Sequence, residues 1–187
     1  VRSSLADSSP DDSLMVKHIR KDGTKFPVEM HSKAILMQDK ISHVTAVRDI
    51  TERKAMEDEL KRLARTDELT GLHNRRYFME LGSIELTRAL RYDTPVAVLM
   101  LDIDHFKSIN DNHGHESGDK ALNAFSCACL SATRNTDIFG RLGGEEFAFF
   151  MPETTAKEAY EVAERIRQTI QLLKVMTASG VSINMTV

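Results

Sequence analysis

The order of apolar and polar positions divides the chain into a β-patterned first part and a mixed remainder. Positions 13–20, 25–37 and 41–50 read as three strands, with Lys21-Asp22-Gly23-Thr24 as a turn and Pro27 inside the second strand. Residues 1–12, rich in Ser and Asp and without periodicity, read as a flexible lead-in or as a loop severed from something upstream. Positions 51–64 then form a charged helix with Thr51 as N-cap, where Met56, Leu60 and Leu63 follow the +4, +3 spacing of a short coiled-coil seam, the alternative being an exposed connector helix. An amphipathic helix is expected over 75–92. Pro95 punctuates, and 96–101 is an unbroken apolar run, the pattern of a strand covered on both faces. One helix opens at His105-Phe106-Lys107 and breaks at Asn112-His113-Gly114-His115, and a second follows from about Ser117. Strands at 138–142 and 146–151 flank a Gly-Gly pair, a helix occupies 155–173, a polar loop ends at Gly180 and a last strand fills 181–187. The sequence of elements predicts an α+β fold with helices against a mixed sheet.

Composition narrows the function classes. The 187 residues are 41% apolar and 28% charged, a globular balance, and a net charge of -3 gives no electrostatic footprint for nucleic acid. No apolar run approaches the length of a membrane span and none resembles a signal peptide, so a cytoplasmic chain is expected, with an anchor upstream of Val1 left open. Cys127 and Cys129 lie two apart on a helical stretch and read as packing residues, and the histidines show no zinc-ligand spacing.

Two acidic sites stand out against this background. Glu145 and Glu146 follow the Gly143-Gly144 turn, which alone is either a solvated acidic turn or a cation site. Asp102 and Asp104 close the apolar run at 96–101, at the strand end where open α/β sheets gather ligands. Brought together in one sheet, these acids supply the carboxylates that Mg²⁺ needs while leaving positions for phosphate oxygens, the logic of nucleotidyl transfer.

Four ordered motifs carry a family likeness. Asp67-x-Leu69-Thr70-Gly71-Leu72-x-Asn74-Arg75-Arg76, Asp102-Ile103-Asp104-x-Phe106-Lys107-x-Ile109-Asn110-Asp111, Gly114-His115-x-x-Gly118-Asp119 and Gly143-Gly144-Glu145-Glu146-Phe147 resemble a GGDEF domain, a palm-like diguanylate cyclase fold, over residues 66–187. The resemblance implies condensation of two GTP into cyclic di-GMP with release of pyrophosphate. It implies Mg²⁺ or Mn²⁺ held by Asp102, the Ile103 carbonyl, Glu145 and Glu146, with Glu145 also accepting the proton of the attacking 3′-hydroxyl. Asn110 and Asp119 would read the guanine edge, His115 and Lys107 would line the same GTP site, and Gly143 and Gly144 would let backbone approach the phosphates. Arg134 and Asp137 would form a product-inhibition site. Residues 1–50, through His18-Ile19-Arg20-Lys21-Asp22-Gly23-Thr24 and the Asp49-Ile50-Thr51 exit, resemble the C-terminal portion of a PAS sensor domain, which makes 51–65 a signalling linker helix. A homodimer through that helix, with the GGDEF domains face to face, is the implied assembly. The family continues past the last strand seen here, so the chain is expected to be truncated there. The alternative is a catalytically silent GGDEF domain acting as a receptor for GTP or cyclic di-GMP; an enzyme making a mixed dinucleotide is less favoured, because a carboxylate at Asp119 suits the guanine donors.

Overall fold

A computed structural model describes residues 13–37, 40–177 and 181–187, which form two compact units divided between Lys61 and Arg62. The 1–12 lead-in and the loop end at Gly180 lie outside the described residues.

In the first unit, β1 (Ser13–Ile19), β2 (Lys25–Met37) and β3 (Lys40–Asp49) make an antiparallel meander in the order β1-β2-β3. The β1–β2 turn closes because Asp22 Oδ1 accepts from the Thr24 backbone N–H and hydroxyl, while Gly23 takes a φ of 85°. Pro27 lies in the central strand, yet the β2–β3 ladder begins only at Val28, so the proline sits where β2 has a single strand neighbour. Val28 and Ile50 are buried. The helix α1 (Thr51–Arg65) follows, and its cap corrects the sequence reading: Asp49 Oδ1 accepts from both the backbone N–H and the hydroxyl of Thr51. An Asp placed two residues before the first helical N–H reaches it without disturbing the helix, so Thr51 itself is free to be helical. Arg20 Nη2 donates to the other oxygen of Asp49 at 2.7 Å. Met56, Leu60 and Leu63 of the expected seam are all exposed.

The second unit is built on a mixed four-stranded sheet of order β4-β6-β7-β5. Its strands are β4 (His73–Asn74), β5 (Val96–Asp102), β6 (Ile138–Gly143) and β7 (Glu146–Pro152), with β4 parallel to β6 and the other pairs antiparallel. One sheet face carries Leu101, Phe139, Phe147, Phe149 and Met151, packed in one core with Leu122, Phe125 and Cys129 of α4 (His115–Ser131) and Val162, Ile166 and Ile170 of α5 (Ala156–Leu172). Phe139 and Phe149 pair across the ladder and stack with centroids 3.9 Å apart. On the other face Phe78 of α2 (Arg75–Tyr92) packs with Ala148 and Phe150. Between β5 and α4 lies α3 (Phe106–His113). Burial pushes the Cys129 thiol up to about 12, as suits a small packing residue.

Three details differ from expectation. The 96–101 run is not covered on both faces: β5 is an edge strand of this sheet, and Val98 and Met100 are each 58% exposed. Helix α2 packs over β6 and β7 and leaves that side of β5 open, so an unbroken apolar run here does not mean two-sided burial. The second helix of the pair starts at His115, two residues early, because Gly114 takes a φ of 79° and redirects the chain at once. Finally, the last strand shortens to β9 (Ser182–Asn184), which pairs with an unforeseen β8 (Lys174–Met176).

Candidate active site

The hairpin between β6 and β7 is closed by the pair Gly143↔Glu146, which leaves Gly144 and Glu145 at the tip. Gly144 has a φ of 53°, a left-handed conformation that glycine adopts without strain. Below the tip, Arg141 pairs with Phe147 while Leu142 is left over, a β-bulge. Antiparallel to β7, β5 ends with Asp102 directly opposite Glu146. Directly opposed residues point to the same face with Cβ atoms about 4.5–5.5 Å apart, so the ladder brings those two carboxylates together at one end of the sheet. Glu145 follows at the turn, half-buried, next to the pair in sequence.

Carboxylates opposed in this way at an exposed sheet end can share a cation. Among the described residues, no hydrogen bond or ion pair engages the side chains of Asp102, Glu145 or Glu146, and no three acidic, histidine or cysteine side chains converge as a closed metal cage. That is the donor set of a hard divalent ion that takes one or two carboxylates from the protein and its remaining oxygens from phosphates and water. Asp102 and Glu146 are compatible with a divalent cation that takes its other oxygens from phosphate and water. Ile103 lies next to Asp102, and its carbonyl accepts a 3.3 Å bond from the Phe106 N–H. Asp104, two residues beyond Asp102 and outside the strand, is occupied differently: its Oδ2 accepts from the Thr186 hydroxyl at 2.7 Å and its N–H donates to the Thr186 carbonyl.

The α3–α4 pair gathers the second group of expected residues. Asn110 lies on α3 against Gly118 of α4, and a Cβ built on Gly118 would stand 2.0 Å from Asn110 Oδ1. Asp119, next in the chain, and His115, one turn earlier, are exposed on α4, and Lys107 is exposed on the first turn of α3. A cavity of about 540 Å³ between α3 and the β9 segment, lined by Asp104, His105 and Ser108 among others, includes none of Asp102, Glu145, Asn110 or Asp119.

Arg134 and Asp137 close a local turn in which Asp137 Oδ2 accepts from the Arg134 N–H at 3.0 Å. The Arg134 side chain borders a cavity of about 210 Å³ shared with Asp137, Glu158 and Arg165. Arg165 comes from α5 and had no local signal in the sequence; only the packing of α5 beside the turn reveals it.

One contact joins two of the motifs. Arg141 Nη1 donates to Asp67 Oδ1 at 3.0 Å, and Arg141 Nε and Nη2 donate to the Gly144 carbonyl at 2.9 and 2.8 Å. Burial would raise the Asp67 carboxyl, but the Thr70 hydroxyl and N–H and the Arg141 guanidinium outweigh it and hold the group below the usual carboxylate range.

Residues 64–187 match the family described as "Diguanylate cyclase, GGDEF domain". Response regulator PleD of Caulobacter vibrioides is 46% identical over 114 residues, 60% of this chain and 25% of that protein. Diguanylate cyclase DgcM of Escherichia coli is 35% identical over 153 residues, 82% of this chain and 37% of that protein. The chain thus spans well under half the length of either relative. Among solved structures, the coiled coil and GGDEF domain of DgcB from Caulobacter crescentus, in complex with c-di-GMP, aligns with a TM-score of 0.69 at 26% identity over 73% of each chain. Diguanylate cyclase SiaD from Pseudomonas aeruginosa, in complex with its activator SiaC, aligns with a TM-score of 0.64 at 36% identity over 72% of this chain and 52% of that one.

Proposed function

The chain belongs to the GGDEF-domain diguanylate cyclases, and from that membership we propose that it condenses two GTP molecules into cyclic di-GMP with release of pyrophosphate. The observation that carries the reading is the register of β5 on β7, which sets Asp102 opposite Glu146 beside the Gly144-Glu145 tip. Asp102, Ile103 O, Glu145 and Glu146 hold Mg²⁺ or Mn²⁺. When bound, the ion neutralises phosphate charge and favours ionisation of the attacking hydroxyl. Glu145 takes the 3′-hydroxyl proton, Lys107 and His115 line the nucleotide, the exposed backbone at Gly143 and Gly144 admits the phosphates, and Asn110 with Asp119 reads guanine. Each domain presents one GTP, so two copies face each other, aligned by the Met56, Leu60 and Leu63 seam of α1. The three-stranded unit is the end of a PAS sensor, and Arg134 with Asp137 receives the product. No helix among the described residues is long and apolar enough to cross a membrane, and we assign the reaction to the cytoplasm, where GTP is supplied.

The deciding experiment incubates the protein with GTP and Mg²⁺ and looks for cyclic di-GMP by mass. Product should form, at a rate that rises more steeply than linearly with protein concentration. Tight binding of GTP or cyclic di-GMP with no turnover would replace the enzyme by a receptor.

The packing of Gly118 offers a separate check on guanine recognition. In Gly118→Ala the new methyl would displace the Asn110 amide, a movable side-chain end, and press on the buried Phe106 ring at 3.2 Å, so thermal unfolding should be followed alongside to show that the fold survives. Affinity for a non-reactive GTP analogue, read by calorimetry, should fall about tenfold, the equivalent of one lost hydrogen bond. Unchanged affinity would remove Asn110 from the guanine site.

A further inference from the structure

The Arg141 guanidinium is only 13% exposed, although it stands beside an exposed turn, and its two edges hold different parts of the fold. One edge, Nε and Nη2, is spent on the Gly144 carbonyl, and Nη1 is spent on Asp67. The Gly144 carbonyl belongs to the peptide that joins Gly144 to Glu145. Fixing that oxygen fixes the plane from which Glu145 departs, and peptide planarity passes the constraint on without loss. Glu145 has no side-chain hydrogen bond of its own among the described residues, so its position depends on its backbone.

Asp67 is fixed from the other direction. Its Oδ1 accepts from the Thr70 N–H and hydroxyl at 2.9 and 2.7 Å, its N–H donates to the Leu72 carbonyl, and its own carbonyl accepts from the Gly71 N–H. It also stands two residues after the last residue of α1. The closing turn of that helix is tied into the same loop: Thr66 donates through its N–H and its hydroxyl to the Arg62 carbonyl, and Asn74 Nδ2 donates to the Ala64 carbonyl at 3.1 Å. The Asn74 Oδ1 in turn accepts from the Tyr77 N–H and caps α2.

We infer that Arg141 is a positioning residue for the acidic hairpin tip, set by Asp67, so that one guanidinium joins the last turn of α1 to Glu145. The inference rests on the cyclase reading for its consequence in turnover, and on geometry alone for its consequence in metal binding. A planar fork is required because the two targets lie on different edges of it; an ammonium at the same position is a single point and serves one of them. The arrangement also makes the orientation of the α1 end and the placement of Glu145 a single variable, because no step between them passes through an unbonded side chain.

The test uses the full chain as wild type, Arg141→Lys, Asp67→Asn and the double variant. Two readouts are taken: kcat and KM for GTP, and Mn²⁺ affinity in the presence of a non-reactive GTP analogue by calorimetry. For Arg141→Lys, kcat and Mn²⁺ affinity should each fall about tenfold or more, the range seen when partners of metal ligands are removed, with KM for GTP changed less than about twofold. Asp67→Asn should show a smaller loss of the same kind, and the double variant should be no worse than Arg141→Lys, because the two act as one unit. Wild-type kcat and Mn²⁺ affinity in Arg141→Lys would overturn the inference, as would losses that add in the double variant or a change in KM alone. Absence of product from the wild type, together with weakened Mn²⁺ binding in Arg141→Lys, would instead refute the cyclase reading while the positioning role stood.

Discussion

Glu145→Ala is expected to lower cyclic di-GMP formation by about a hundredfold or more while leaving the fold intact. The carboxylate stands at the tip of the β6–β7 hairpin and takes no part in any hydrogen bond among the described residues, so its removal leaves no buried group unpaired. On the proposed mechanism it removes the charge that would help hold the ion and accept the proton, several kcal/mol of transition-state stabilisation and hence a factor of at least that size. Glu146 makes the instructive comparison, because the ladder sets it, and not Glu145, directly opposite Asp102. If Glu146 serves only to hold the ion, raising the Mn²⁺ concentration should restore much of the activity of Glu146→Ala and little of that of Glu145→Ala. Steady-state rates across a metal titration read both variants. Retention of full activity by Glu145→Ala would remove that residue from the site.

The largest effect on stability should come from Phe147→Ala. This ring is fully buried between Phe125 of α4, 4.8 Å away by ring centroids, and Phe139 of β6, 5.9 Å away, so truncation empties the middle of the core. Loss of a buried aromatic ring costs about 3–5 kcal/mol, a large share of the stability of an ordinary domain. Urea unfolding followed by circular dichroism should show a lower midpoint with little change in slope. Tyr160→Ala, on the exposed face of α5, should move the midpoint little and serves as the control. Phe147 also follows Glu146 and pairs with Arg141, so the same truncation should loosen the tip and lower turnover at temperatures where the chain is still folded.

Much of this architecture is legible in sequence because it is written in local periodicity. The amphipathic pattern from Arg75 to about Tyr92 gives α2, and the Gly143-Gly144 pair between two apolar runs gives the hairpin. Strand pairing over long distances is another matter. Nothing near residues 96–101 says that their outer face lacks a cover, since that depends on how far α2 reaches across the sheet. The three-residue β8 and β9 are too short to show any alternation, and their pairing comes from the chain folding back on itself. The acids of the site are legible one by one, but the facing of Asp102 and Glu146 is a matter of register that no local pattern contains. Arg141 and Asp67 stand 74 positions apart, and each reads alone as one more surface charge.

The bulge at Leu142 carries a consequence for how this turn tolerates change. Because one residue is already accommodated between Arg141 and Gly143, adding or removing a single position there would change the path of the turn that links Arg141 to Gly144. Arg141 would lose its reach to the Gly144 carbonyl, and the Gly144–Glu145 tip would be re-aimed while the β5–β7 pairing still held Glu146 opposite Asp102. Leu142 itself packs against the Phe78, Ala148 and Phe150 cluster, so only apolar replacements of similar size should be absorbed there, whereas the count of residues from Arg141 to Glu146 should be the quantity that cannot drift in any working descendant of this sequence.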